Sequence, residues 1–456
     1  GGMTPEIAGQ SLSHRQHIAN TSPHASDPQL NAIPHLGARK AALMFIFITV
    51  LIDVLAFGVI IPVLPHLVQQ FVGGDLSTAA YWTGLFSFTF ALVQFFSAPI
   101  QGALSDRFGR RPVILLSCLG LGADFVFMAL APSLAWLFVG RLISAVTAAS
   151  FTTANAYIAD VSAPEQRAKS FGMIGAAFGL GFIVGPLIGG VLGDINHRLP
   201  FWFAACLSLL NFCYGLFVLP ESLPPEKRCA RFDWKHAKPL GGVQLLRENP
   251  RIWGLVAVVF IANFAHYVYP STFVLFADAA YGWKEKQAGY VLALVGVLSV
   301  IVNVGLIGRV VKVLGERRAL LLGLCCGIAG FLVYGLAPVG WLFLIGMPIS
   351  ALWAIAGPAT QALITRQVPA DAQGRIQGAM SGLVSLAGVV APLAYTAAFG
   401  FFIGPHTPVH LPGIAFLIAS ALLAVAVFVA WRFTDPAHLS ATPQPRAETA
   451  KVEPTA

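Results

Sequence analysis

Residues 102–111 read GALSDRFGRR, and residues 308–318 read GRVVKVLGERR. Setting Gly102 on Gly308 gives an offset of 206, which also sets Gly109 on Gly315 and Arg111 on Arg317. The same offset, with no gap, pairs Ala131-Pro132 with Ala337-Pro338, Gly172 with Gly378 and Pro186 with Pro392. A register held this far along a chain indicates two copies of one unit. In each copy the basic stretch is a short polar island between long apolar runs.

Those runs set the class. Of 456 residues, 57% are hydrophobic and 11% charged, and the mean hydropathy is +0.75. About a quarter of the residues in a soluble domain are charged, so this chain has too little polar surface for a soluble globule. Apolar runs long enough to cross a bilayer fall at about 41–68, 80–101, 112–131, 134–157, 169–192, 200–219, 251–277, 287–308, 318–336, 340–364, 376–402 and 411–432. They are continuous rather than alternating, which excludes membrane strands. The fold class is therefore an all-α membrane protein of twelve transmembrane helices. The repeat divides them into two six-helix halves related by a pseudo-two-fold axis along the membrane normal, with a substrate cavity expected between them.

The basic residues give the orientation. With an even number of spans both tails share one side. That side carries 24 of the 28 Lys and Arg. Only Arg198, Lys284 and Lys286 lie opposite, and Arg141 lies within a span. By the positive-inside rule both tails are cytoplasmic. The net charge of +8 is thus a topology signal and needs no nucleic-acid partner. Residues 1–40 and 434–456 read as disordered cytoplasmic tails, 41–219 and 251–433 as the two halves, and 220–250 as a cytoplasmic linker. The six cysteines and the tail histidines show no metal-ligand spacing. No cofactor or metal is expected, and the chain is expected to act as a monomer. No cluster of catalytic residues near one surface argues for an enzyme.

The loop GALSDRFGRR resembles the signature loop of the major facilitator superfamily, and GLGFIVGPLIGG at 179–190 resembles the GPxxGG motif of its drug/proton antiporters. LIDVLAFGVIIPVLP in the first span, GRLISAVTAAS at 140–150, YIAD at 157–160 and LPES at 219–222 are similar to the tetracycline-exporter subgroup. The resemblance implies antibiotic efflux across a bacterial inner membrane. It also implies a cytoplasmic gate of Gly102, Asp106, Arg107, Gly109, Arg110, Arg111 and Asp160, in which Arg110 pairs with Asp160 and Asp106 faces Gly374-Arg375 at the start of the eleventh span. The second copy has Lys312 and Glu316 at the positions of Asp106 and Arg110. Its half of the gate is therefore reversed in sign and expected to be weaker. Gly181, Gly185, Gly189 and Gly190 give the fifth span smooth faces, and Pro186 removes a backbone donor and can kink it. A helix of this kind suits a tight seam between halves.

Charges inside the spans are the candidate proton-coupling groups, because they are costly to bury. Asp53 lies about 18 Å into the first span at 1.5 Å per residue, near mid-membrane, with no basic residue in its own span. Asp124 and Arg141 lie at similar depth on the third and fourth spans and are placed to pair. Phe57, Gln94, Asn155, Asn263, His266, Asn303, Trp353 and Gln361 are candidates to line the cavity, with Tyr267 and Tyr269 as further aromatic wall. Tetracycline exporters, as a subgroup, carry an acid in span nine and a histidine in span eight. This chain places Gly327 and Ser299 there. That departure points the substrate away from a metal–tetracycline chelate and proton coupling toward the first half. The reading is proton-coupled efflux of small amphipathic or drug-like molecules by alternating access. The alternative is an importer or facilitator of a small metabolite with the same fold.

Overall fold

The computed structural model describes residues 36–147, 150–162, 167–228, 252–368 and 373–434. Most of the expected linker, the tail residues 1–35 and 435–456, and the tail histidines lie outside the described residues. The described residues form twelve spans and contain no strand. α1 runs Leu36–Ile60 and, after a turn, Leu64–Phe71. Pro62 cannot continue the first segment, while Pro65 suits the first turn of the second. α2 is Leu76–Phe108 and α3 is Arg110–Ala129. α4 is described over Leu134–Thr147 and Ser150–Val161. α5 is Arg167–Ile195 and α6 is Leu199–Val218. A short turn, Pro225–Lys227, follows.

In the second set, α7 comprises Trp253–His266 and Val268–Tyr281. α8 comprises Glu285–Val300, a π-helical turn Ile301–Leu306, and Ile307–Leu314. α9 is Glu316–Leu336. α10 comprises Gly340–Ala351, a 3-10 turn Leu352–Ile355, and Ala356–Gln367. α11 is Gln373–Ile403 and α12 is Ile414–Phe433. Eleven of the described helices are long and apolar enough to cross a membrane, and the Leu134–Thr147 segment of α4 is a shorter apolar one. Leu116, Phe217 and Phe428 leave more than half their surface exposed, as suits contact with lipid.

One finding differs from the sequence reading. The basic loops are not loops. α2 continues to Phe108 and α8 to Leu314, leaving Gly109 and Gly315 as the joints to the next helices. At 33 residues α2 is about 50 Å long at 1.5 Å per residue, so it projects beyond the hydrocarbon. The Asp106–Arg110 pair thus straddles a joint instead of sharing one helical face. The repeat, by contrast, is matched in the backbone. Gly109 (φ 105°, ψ 158°) and Gly315 (φ 77°, ψ 164°) adopt one backbone conformation, open to glycine and strained for other residues. The next matched pair behaves alike. Arg111 Nη2 donates to Leu216 O at 2.7 Å near the end of α6, and Arg317 Nη2 donates to Trp431 O at 3.2 Å near the end of α12.

The joints and Asp106 lie on the face that holds most of the Lys and Arg, called here the basic face. The bundle is closed at the opposite face. There α5 is clamped between α1 and α8. A Cβ on Gly185 would stand 2.8 Å from Gly58 Cα, one on Gly190 2.6 Å from Glu285 O, and one on Gly189 would overlap the Val59 backbone. α2 meets α11 in the same way: Ser77 Oγ donates to Gly400 O at 2.6 Å, and a Cβ on Gly84 would overlap Thr396. Toward the basic face the helices separate. Gly172, Gly175, Gly305, Gly308 and Gly378 have open space where a Cβ would stand. Gly172 and Gly378 are partners in the repeat, so the two copies part at matching positions.

Candidate functional site

The helices enclose a cavity of about 2050 Å³ that opens toward the basic face. Its wall is mostly apolar. Phe57 of α1 and Phe90 of α2 stand 6.1 Å apart by ring centroids on one side. On the other, the His266 ring lies 5.7 Å from Trp353 and 6.3 Å from Tyr269, whose hydroxyl meets Ser350 Oγ at 2.8 Å. Gln94, Asn263, Asn303 and Gln361 also line it. Of the residues expected in the wall, Asn155 is the exception. It lies in the second described segment of α4, is exposed, and is not among the residues that line the cavity.

Among the described lining residues Arg141 is the only Lys, Arg, Asp or Glu. It is 8% exposed, and its guanidinium carbon lies 4.3 Å from the Phe90 ring centroid, a cation–π contact that offsets part of the burial cost. Its Nε has no hydrogen-bond partner. Behind it, on the neighbouring α3, Asp124 is 1% exposed and accepts from Ser144 Oγ through one oxygen. The other oxygen, Oδ1, has no hydrogen-bond partner. Gly140 permits this closeness, since a Cβ there would stand 3.1 Å from Asp124 Oδ1. Among the described residues no direct ion pair joins Asp124 to Arg141, so the expected pair is a neighbourhood and not a bond. The short α3–α4 connection brings the two to one depth, as the sequence indicated.

Asp53 does not face the cavity. Its Oδ1 accepts from Asn211 Nδ2 of α6 at 3.1 Å, and the same nitrogen reaches Thr49 O at 3.1 Å and Cys118 Sγ at 3.6 Å. Asp53 and Asn211 are 5% and 1% exposed. The carboxylate therefore belongs to a polar knot tying α1, α3 and α6. Asn211 was invisible in the apolar run SLLNFCYG, because a lone Asn carries no spacing signal. Gly327, in place of the exporters' acid, has a structural complement. A Cβ there would stand 3.0 Å from Trp353 Cγ and 2.7 Å from Leu423 Cδ1, so the Trp353 indole fills the room an acid would need.

At the basic face Arg110 is the hub. Its Nη1 lies 2.5 Å from Asp106 Oδ1 and its Nε 3.1 Å from Asp160 Oδ2. Arg110 Nη1 also donates to Ser105 Oγ at 2.6 Å. Glu221, within the quoted LPES, accepts from the backbone N–H of Arg110 at 2.9 Å and of Arg111 at 3.3 Å, capping the start of α3. Arg107 stands over the Phe108 ring at 5.1 Å, and Gly102 O accepts from Ser105 Oγ at 2.7 Å. The second copy repeats the pair with its charges exchanged: Arg366 Nη2 lies 2.7 Å from Glu316 Oε1. Positions 110 and 316, and 160 and 366, are all related by the offset of 206. The Arg366 side chain is 75% exposed, so water screens this copy more. The side chains of Gly374 and Arg375, where Asp106 was expected to face, lie outside the described residues.

Comparison with known proteins agrees with this geometry. A family model of the Major Facilitator Superfamily matches residues 46–392. The tetracycline resistance protein of class C from Escherichia coli is 35% identical over 85% of this chain and 95% of its own length. The class D protein from Salmonella ordonez is 32% identical over 89% of this chain and 100% of its own. Among solved structures, a bacterial homologue of the human lysosomal transporter Spinster, inward-facing and unoccupied, shares the fold with a TM-score of 0.71 at 19% identity, over 90% of this chain and 100% of that one. The chain therefore belongs to the Major Facilitator Superfamily and stands with the tetracycline resistance proteins among that superfamily's small-molecule transporters.

Proposed function

We propose that this chain exports small amphipathic molecules from the cytoplasm in exchange for protons, with both tails cytoplasmic and the cavity open to the cytoplasm. The observation that carries the reading is Arg141, alone as a charge in an apolar cavity wall, with the buried carboxylate of Asp124 behind it. With Asp124 ionised, the two charges offset each other, and a cationic or donor-rich amphiphile can lie against Phe57 and Phe90. A proton on Asp124 leaves the Arg141 charge uncompensated in a low-dielectric wall, where it repels such a ligand strongly. Proton and substrate then exclude one another, which is the condition for exchange. The helix–helix seams at the far face supply the closed end of one alternating state. Asp53, held by Asn211, is assigned the anchoring of α1 rather than the coupling step.

Proton release in weakly buffered detergent solution tests this. Adding ethidium as probe is expected to release protons from the wild-type protein and none from Asp124→Asn. Equal release from both would remove Asp124 from the mechanism.

A further inference from the structure

The far-face closure holds a second buried polar cluster, away from the cavity. His66 on the second segment of α1 is 5% exposed, and Glu285 at the start of α8 is 3% exposed. His66 Nδ1 lies 3.1 Å from Pro62 O and 3.4 Å from Glu285 Oε1, and its Nε2 lies 3.8 Å from Asp278 Oδ2 on α7. His197, between α5 and α6, places Nδ1 2.7 Å from the same Glu285 oxygen, out of line for a hydrogen bond. Both imidazoles come from the first six spans and both carboxylates from the last six. The contacts therefore exist only while the far face is shut.

The chemistry of His66 fixes where a proton goes. A carbonyl oxygen only accepts, so Nδ1 carries the hydrogen that meets Pro62 O. Nε2 then presents a lone pair, buried and without a hydrogen-bond partner, toward the Asp278 carboxylate. Protonating Nε2 turns that repulsive contact into an attractive one. The remaining charges near the cluster are accounted for. Lys284 Nζ lies 2.6 Å from Asp278 Oδ1, and Lys286 Nζ lies 3.9 Å from Asp194 Oδ2. Arg198 is turned to Ala129 O and Ala131 O, and Asp75 to Thr78. Asp278, Glu285 and Lys284 alone leave one negative charge, which one proton on the histidines neutralises. A polar recess of about 510 Å³ on the far face, lined by His197, Asp194, Lys284 and Glu285 among others, gives water a route to the cluster.

We propose that His66 Nε2, between Asp278 and Glu285, is a proton-binding site assembled only when the far face closes, so that acid on that side holds the transporter open to the cytoplasm. The sign follows from linkage: the sealed state binds one more proton than the outward-open state, so acid favours it and alkali releases it. The proposal rests on alternating access but not on Asp124.

The test is double electron–electron resonance on the full chain in lipid nanodiscs. Spin labels go at Pro132→Cys and Pro338→Cys, exposed turns at the far face in the two halves. The background carries Asp124→Asn and Ser at the exposed native cysteines. Between about pH 8 and 5 the sealed-to-open ratio is expected to rise by up to about tenfold per pH unit, the slope of one linked proton. His66→Gln should flatten that response, and His66→Arg should hold the sealed population at every pH. An unchanged pH response in His66→Gln, or no response with native His66, would overturn the proposal. A flat response beside intact gradient-driven transport by the chain with native Asp124 sinks this site alone. A normal response, beside no gradient-driven transport by the chain with native Asp124, supports the site and sinks the transport reading.

Discussion

Asp53 and Asp124 are both aspartates buried in membrane spans, yet their surroundings assign them different work. Asp53 is met by an amide that also grips the α1 backbone at Thr49. Replacing Asn211 with Ala leaves that carboxylate short of a donor, at a cost of about 1–3 kcal/mol. A lower melting temperature is expected, with transport retained at temperatures where the protein stays folded. Loss of transport without loss of stability would return Asp53 to the coupling step. Gly327 makes a second residue-scale test, because Trp353 and Leu423 occupy the space beside it. Gly327→Asp is expected to lower the melting temperature by several degrees, and adding Trp353→Ala to recover part of it. Full stability in the single variant would show that the indole moves aside freely.

At the scale of elements, the helix joints carry the most specific expectations. The first copy holds Arg110 against Asp160, and the second holds Glu316 against Arg366. One backbone joint thus accepts either arrangement of charge. Arg110→Glu alone sets a third acid against Asp106 and Asp160 in a largely buried position and is expected to cost about 3 kcal/mol or more. Adding Asp160→Arg restores the Glu–Arg pair of the second copy, with Asp106 still in place of its Lys312, and should recover part of the stability, read by thermal melting; a double variant no better than the single one would contradict it. At the far face Asp75 caps α2, accepting from the Thr78 hydroxyl and from Thr78 N at 2.8 Å. Those bonds, the hydroxyl first, hold its carboxyl below the usual aspartate value of 3.8. The cap therefore stabilises α2 above that value and is lost as pH falls through the lowered one. Asp75→Ala is expected to cost about 1 kcal/mol at neutral pH, an effect that should fade in strong acid.

For the whole molecule, the number and placing of the spans were legible because bilayer thickness acts on composition alone. The offset of 206 was legible because Gly109 and Gly315 need the same unusual backbone. The cavity wall was largely legible too, as polar and aromatic residues within apolar spans. What could not be read was direction. Asp53 and Asn155 lie outside the cavity lining, and the direction a side chain takes from its helix is something a span's composition does not encode. The far-face cluster escaped because orientation was read from Lys and Arg alone. An inventory of acids and histidines on that face would have gathered His66, Asp194, His197, Asp278 and Glu285. Glu221 stood in a recognised motif but acquired its role only once α3 was seen to begin at Arg110.

The central claim is that an inward proton gradient drives export through Asp124. It is tested most directly in proteoliposomes holding the purified chain, with an imposed pH gradient and ethidium as probe. Wild type is expected to concentrate the probe against its gradient, and Asp124→Asn to equilibrate it without accumulation. Accumulation by Asp124→Asn at the wild-type level, or accumulation by wild type that is indifferent to the pH gradient, would contradict the account.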